Sequence, residues 1–223
     1  MNEKIKGVVV KLIDYLDADK LASIFTLEEG IITAKFTGVR REKAKMKAVA
    51  QPFVFAEFSV AEKNNHKTVI SADVIDSFPG ILSNYNKTIC GYIVLDAIKT
   101  IIPKEKSEPD LFLLTLSSLK NIETQNEYIA TAEFLLKFID FSGMTVQFVD
   151  ADNCYLDVNT GNFSTLREIG SVAIDKKVYS ILKNIKNEEE FEFNEHTLKQ
   201  VVRLLGNIVY LKFGEIIKAI EFI

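Results

Sequence analysis

The chain is poor in the residues on which most small-site chemistry depends. Its 223 residues include two cysteines, Cys90 and Cys154, far apart and without Cys-x-x-Cys spacing. The sequence thus shows neither a disulfide framework nor a complete thiolate metal site; one disulfide between them is formally possible, and two buried thiols are expected. Its two histidines, His66 and His196, have no nucleophile or ligand partner near them in sequence and read as exposed polar residues. No apolar run approaches the ~18 residues that span a bilayer. The opening apolar stretch is broken by Lys11 and Asp14 and has no small-residue cleavage site, so a soluble cytoplasmic protein without membrane contact is expected. There is no phosphate-binding Gly-rich loop, no G-x-S-x-G, no H-E-x-x-H and no dinucleotide fingerprint. Internal repeats and low-complexity segments are also missing. These absences point away from an enzyme and from any cofactor. The acidic group Asp150, Asp152 and Asp157 lacks the glycine and terminal glutamate of a calcium loop and reads as a solvated hairpin tip.

What the chain does have is an uneven distribution of charge. Its formal net charge is -4, yet residues 1–50 hold ten Lys and Arg against seven Asp and Glu, a net of +3 that leaves -7 for the remainder. Most of the excess lies in KFTGVRREKAKMK, where Lys35, Arg40, Arg41, Lys43, Lys45 and Lys47 face a single acid, Glu42. Counterion release depends on local charge density, so an acidic chain can still carry a track for a phosphate backbone. The alternative is a solvated surface loop. Phe25, Phe36, Phe53, Phe55 and Phe58 lie in the same section. Some could stack on bases, but two apolar strand faces need filling and most read as core.

The first eighty residues alternate like strands. GVVVKLIDY is one, LASIFT and IITAKFTG flank a turn at Glu28-Glu29-Gly30, and two more flank a polar turn from Glu62 to His66. About five strands in this length suit a small closed barrel. After Ser77-Phe78-Pro79-Gly80 the period becomes helical. Helices are expected from about Tyr85 to the stop at Pro103, over LFLLTLSSLKNIE, and over 126–141 with a stripe of Ile129, Ala132, Leu136 and Ile139. Alternation returns from Met144 to about Ser171, around the turn residues Asn159 to Asn162. Helices resume at about 175–186 and 194–212, the latter with a stripe of Leu198, Val201, Leu205 and Ile208.

The ordered pieces GVVVKLIDYLDADKLASIFTLEEGIITAKFTGVRR, QPF, FAEF and SFPGI, with the closing GEIIKAIEFI, resemble the RecO family of bacterial recombinational repair mediators. The resemblance is specific over the first eighty residues, loose in the helical middle and good over the last ten. It implies a multi-domain β + α protein: a five-stranded OB-fold barrel over 1–78, a helical domain over 79–147, a small β-hairpin insertion over 148–171, and the rest of the helical domain over 172–223. It further implies binding of single- and double-stranded DNA, annealing of complementary strands, and partnership with RecR and with the tail of single-stranded-DNA-binding protein, so that RecA loads onto coated single strands. The family's insertion commonly carries two C-x-x-C pairs for zinc. Here it keeps only Cys154, which falls short of the four ligands tetrahedral zinc takes, so no metal is expected in a degenerate zinc-finger region held by Tyr155, Leu156, Val158 and Phe163.

Arg40 and Arg41 match the family's paired arginines and are the expected DNA contacts, with Lys35, Lys43, Lys45 and Lys47 as basic neighbours. The competing reading is that one arginine ties the loop back to a carboxylate of the barrel. A groove for an acidic, aromatic-tipped partner tail is implied in the helical domain, with Lys99, Lys137, Lys199 and Arg203 as candidate cations. Two other functions stay open: a protein-interaction adaptor without a DNA role, and a nuclease using Asp150, Asp152 and Asp157 with magnesium.

Overall fold

The computed structural model describes residues 2–101, 106–151 and 154–223. The chain divides into two compact units, Met1–Pro79 with Ile102–Leu113, and Gly80–Ile101 with Leu114–Ile223.

The first unit is built on β1 (Asn2–Tyr15), β2 (Asp19–Thr26), β3 (Gly30–Phe36), β4 (Phe55–Lys63) and β5 (His66–Asp76). They close into a barrel in the order β1-β2-β3-β5-β4, the OB-fold arrangement. Closure is made by a short parallel pairing of β3 with β5, Ala34 to Lys67 through Phe36 to Val69. β1 is longer than the sequence pattern suggests because it serves two partners. Its first half pairs with β4, from Asn2↔Ala61 to Val8↔Phe55, and its second half with β2, out to Tyr15↔Asp19. Gly7 sits where the partners overlap, and a Cβ there would stand 2.6 Å from Ile24 Cγ2. The charged opening NEKIK hides this strand, since Ile5 turns inward while Glu3, Lys4 and Lys6 are exposed. At the β2–β3 turn the buried Thr26 hydroxyl donates to the Gly30 carbonyl (2.8 Å) and accepts from the Glu29 N–H (3.0 Å), with Gly30 at φ +72°.

The barrel is filled by the inward set of each strand, including Ile24, Ala34, Val54, Ala56 and Val60, with Phe36 and Phe58 edge to face at 6.2 Å. Phe25, Phe36, Phe53 and Phe58 are fully buried, so these rings are core. Phe53 lies outside β4 in a left-handed conformation (φ +71°), which makes QPF a turn leading into the strand.

The second unit contains α1 (Pro79–Leu82), whose Pro79 belongs to the first unit, α2 (Tyr85–Ile101), the later part of α3 (Pro109–Thr124), α4 (Glu127–Phe141), α5 (Lys176–Asn187) and α6 (Glu195–Phe213), with a closing 3-10 turn at Lys218–Phe222. Pro103, the expected stop of the first long helix, lies outside the described residues. α4 packs against α2, α5 and α6. It is buried far beyond one stripe, with Tyr128, Ala130, Thr131, Phe134, Leu135 and Phe138 inside as well, while Ile129 is only half-buried. Asn126, Asp175 and Asn194 cap α4, α5 and α6 by accepting from first-turn N–H groups, and Gly214 (φ +73°) ends α6.

The expected hairpin is present as β6 (Tyr155–Asp157) and β7 (Asn162–Ser164), and β8 (Ser171–Ala173) adds a third strand in the order β7-β6-β8. Leu156 and Phe163 are buried as expected. The firmest hold comes from residues outside the hairpin. Phe148, Phe163 and Tyr179 of α5 form an aromatic cluster with centroids 4.8–6.0 Å apart. Lys186 Nζ lies 4.5 Å from the Phe148 ring centre, and the Tyr179 hydroxyl donates to the Val149 carbonyl (2.7 Å) and accepts from its N–H (2.9 Å). Removing that hydroxyl with Tyr179→Phe is expected to cost about 1–2 kcal/mol. Hydrogen exchange checks it: the Phe163 amide, bonded to the Gln147 carbonyl, should lose protection while amides in β1 and β4 keep theirs.

Candidate nucleic-acid interface

The basic segment between β3 and β4 is an anchored loop. Val39, Val49 and Ala50 are buried in the barrel core and Met46 packs against it. Burying Val39 and Val49 contributes about 1.5–3 kcal/mol each. Successive turns carry the chain between these anchors, with Ala44 N–H donating to the Arg41 carbonyl, Lys47 to Ala44, and Val49 and Ala50 both to Met46. The sequence KAKMKAVA therefore reads as anchors alternating with cations, and Lys43, Lys45 and Lys47 are exposed.

The other end of the loop is clamped to the β1–β2 turn. The Arg40 guanidinium lies 3.2 Å from the Asp14 carboxylate and donates to the carbonyls of Leu16 (3.2 Å) and Asp17 (3.4 Å). Its backbone N–H donates to the Ala18 carbonyl (2.9 Å), and the Gly38 N–H donates to Asp19 Oδ1 (2.7 Å). Lys35 Nζ stands 3.9 Å from the same Asp19 carboxylate. The six expected contacts thus fall into two sets. Arg40 and Lys35 are engaged with the barrel, as the tie-back reading anticipates for one arginine. Arg41, Lys43, Lys45 and Lys47 are exposed and have no ion-pair partner among the described residues. Sequence reasoning missed the acids of the clamp, Asp14 and Asp19. The available signal was the run IDYLDAD, three carboxylates closely spaced ahead of two arginines.

The two described acids of the group, Asp150 and Asp157, are each engaged with other partners. Asp150 pairs with Lys183 (2.9 Å), which holds its carboxyl below the usual range. Asp157 accepts from the Thr160 hydroxyl (2.7 Å) and the Asn159 N–H (2.9 Å), and these bonds lower it likewise. Asp152 lies outside the described residues. Among the described residues no three His, Cys, Asp or Glu side chains are gathered as a metal site requires. A zinc ion does not fit the insertion. Residues 148–171 hold one cysteine, Cys154, and no histidine, short of the four ligands that a structural zinc takes.

The candidate cations for a partner tail separate in the same way. Lys99 pairs with Asp96 (2.6 Å), and Lys199 pairs with Glu195 (2.8 Å) and stands 5.5 Å from the Tyr128 ring centre. Lys137 is exposed on α4. Arg203 lines a groove of about 390 Å³ with Gly206, Tyr210, Ile216, Ile217 and Ile220, and donates to the main-chain oxygen of Ile223. Among the described residues no helix is long and apolar enough to cross a membrane.

Residues 1–78 match the family described as Recombination protein O N terminal, and residues 82–218 match Recombination protein O C terminal. The chain belongs to the RecO family. It is 28% identical over 175 residues to the DNA repair protein RecO of Caldicellulosiruptor saccharolyticus, covering 78% of this chain and 72% of that one. The Clostridium novyi protein of the same name is 25% identical over 236 residues, covering 98% and 92%, and that of Clostridium perfringens 23% over 209 residues, covering 88% and 85%. Within this RecO chain the adjacent arginines have different surroundings, which a stability measurement separates. Arg40→Ala is expected to lower unfolding free energy by about 1 kcal/mol, while Arg41→Ala leaves it unchanged in denaturant titration. Equal effects would mean that the clamp is not where the loop is held.

Proposed function

We propose that this chain is a DNA-repair protein that binds single- and double-stranded DNA, anneals complementary strands, and with RecR helps RecA load onto single strands coated by single-stranded-DNA-binding protein. The observation that carries the reading is the anchored loop whose Arg41, Lys43, Lys45 and Lys47 are exposed without acidic partners, in a barrel of the RecO family. Cations on a loop held in place by Val49, Ala50 and the Arg40 clamp meet a phosphate chain with little loop entropy left to lose. Binding is sequence-independent, because phosphate contacts position a strand and carry no base information. Annealing follows when two strands neutralised on such a surface meet with their mutual repulsion screened.

The chain makes or breaks no bond in this reading. Its two thiols are buried, with Cys90 pushed up to about 12 and Cys154 to about 11 by desolvation, and so are poor nucleophiles. For the partner tail, the Arg203 groove is favoured over Lys99, Lys137 and Lys199, since it combines a cation with apolar walls. RecA is reached indirectly, through release of the coating protein.

Fluorescence anisotropy with a labelled single-stranded oligonucleotide at several salt concentrations tests this. Wild type should bind with a steep salt dependence. Replacing Arg41, Lys43, Lys45 and Lys47 with alanine should weaken binding and lower the slope of log K against log salt by roughly 3, four phosphate contacts at about 0.7 each. A wild-type chain that binds no DNA even at low salt would leave the adaptor reading in its place. Labelled DNA should stay intact with magnesium or manganese, and cleavage would revive the nuclease reading.

A further inference from the structure

The outer face of the barrel beside the clamp holds a second set of residues that the loop cations do not account for. After the irregularity between Val9 and Lys11, Leu12 turns inward and Lys11, Ile13 and Tyr15 turn outward. The strand register extends this face across three strands. Ile13 is paired with Leu21, which is paired with Lys35, and Lys11 is paired with Ser23, which is paired with Thr33. The result is a strip of apolar and aromatic surface bordered by two cations. Ile13 is 49% exposed, Tyr15 40% and Leu16, at the turn, 69%.

This exposure is confined to one half of the face. At the other end of β2 the outward Phe25 is fully buried under Phe112 (5.3 Å between ring centres), which also meets Phe55 (5.9 Å). The open half is the one next to the basic loop. The Gly38 and Arg40 contacts to Ala18 and Asp19 fasten the β1–β2 turn to the loop's root, so the strip and the cations form one surface. Two of the turn's carboxylates are already occupied, Asp14 by Arg40 and Asp19 by the Gly38 N–H. Asp17 is left as the exposed acid that a phosphate chain must skirt.

We propose that Tyr15, flanked by Ile13 and Leu16, is a stacking platform for an unpaired base, and that this face makes the site prefer single-stranded to duplex nucleic acid. The proposal rests on the reading of the loop as a phosphate track. The chemistry of the face selects the occupant. A ring and aliphatic groups at the edge of a cationic strip fit a polymer that offers flat apolar faces on an anionic backbone, and a single strand offers both. In a duplex the base faces are stacked away, so the duplex meets the loop cations without using Tyr15.

The chain has no tryptophan, which gives a direct probe. In full-length Tyr15→Trp the indole at position 15 is the sole one. Its emission should be quenched by oligothymidylate, saturating together with anisotropy, and unchanged by a duplex of equal length. Tyr15→Ala should weaken oligothymidylate binding by roughly 5- to 150-fold, the effect of one base–aromatic stack. Its duplex affinity should stay within about twofold, its salt slope should match wild type because no charge is removed, and Tyr15→Phe should restore binding. The platform is overturned if wild type binds with the steep salt slope while Tyr15→Ala binds single strands as tightly as wild type. It is also overturned if both substrates weaken equally, which marks a structural role. Failure of wild type to bind either substrate takes down the phosphate-track reading and the platform with it.

Discussion

The interface depends on fixing both ends of a loop that its own charge would otherwise extend. Four like charges between residues 41 and 47 repel one another, and Glu42 is the one acid among them. Left to local preference, such a segment is a solvated coil. Two devices oppose this. Arg40 spends its charge inward, on Asp14 and on two carbonyls of the β1–β2 turn. Six residues and more further on, Met46 packs against the barrel core and Val49 and Ala50 enter it. The repulsion is thus stored in a defined arrangement, which a bound polyanion would relieve. In the proposed function, the cation that stabilises the fold at Arg40 is what would make the neighbouring cations usable for binding.

The insertion solves a similar problem by other means. Three strands of three residues cannot hold themselves together. A structural metal would supply the missing energy through thiolates. Here α5 supplies Tyr179, whose ring packs on Phe163 and Phe148 and whose hydroxyl satisfies both polar groups of Val149. Such a cluster is indifferent to chelators and to thiol oxidation. It ties the small sheet to α5 in place of a separate metal-centred knob.

Much of this was legible beforehand, for identifiable reasons. β2 to β5 and the long helices have clean periods, and their ends carry turn or capping residues such as Gly30, Asn126, Asp175 and Asn194. Less was legible wherever the deciding partner is remote in sequence. The first half of β1 is charged and local reading passes over it, since its pairing with β4 joins residues 47 to 59 apart. α4 reads as one apolar stripe, yet three neighbouring helices bury it on most sides. Phe148 and Tyr179 are thirty-one positions apart, and nothing local joins them. Arg40 and Arg41 are the same residue in adjacent places. Only the fold of the β1–β2 turn brings Asp14 to one and leaves the other in solvent. Tyr15 was hidden for a related reason, because a single-residue shift near Val10 decides which face of β1 it occupies.

The charge partition gives these local arrangements a common consequence. Residues 1–50 carry a net +3 within a chain of -4, so most of the molecule repels a polyanion. At low salt that repulsion reaches about 30 Å, and at physiological ionic strength about 8 Å. In dilute salt the acidic remainder therefore opposes the attraction of the loop over long distances. Near physiological salt it is screened beyond the nearest groups, whereas contacts at the loop act within that range. Salt weakens each phosphate contact, yet it also removes a distant penalty that a uniformly basic protein would not have. On the proposed DNA-binding reading, the acidic remainder would confine a nucleic acid to the anchored loop and the face beside it, and discourage coverage of the molecule at large.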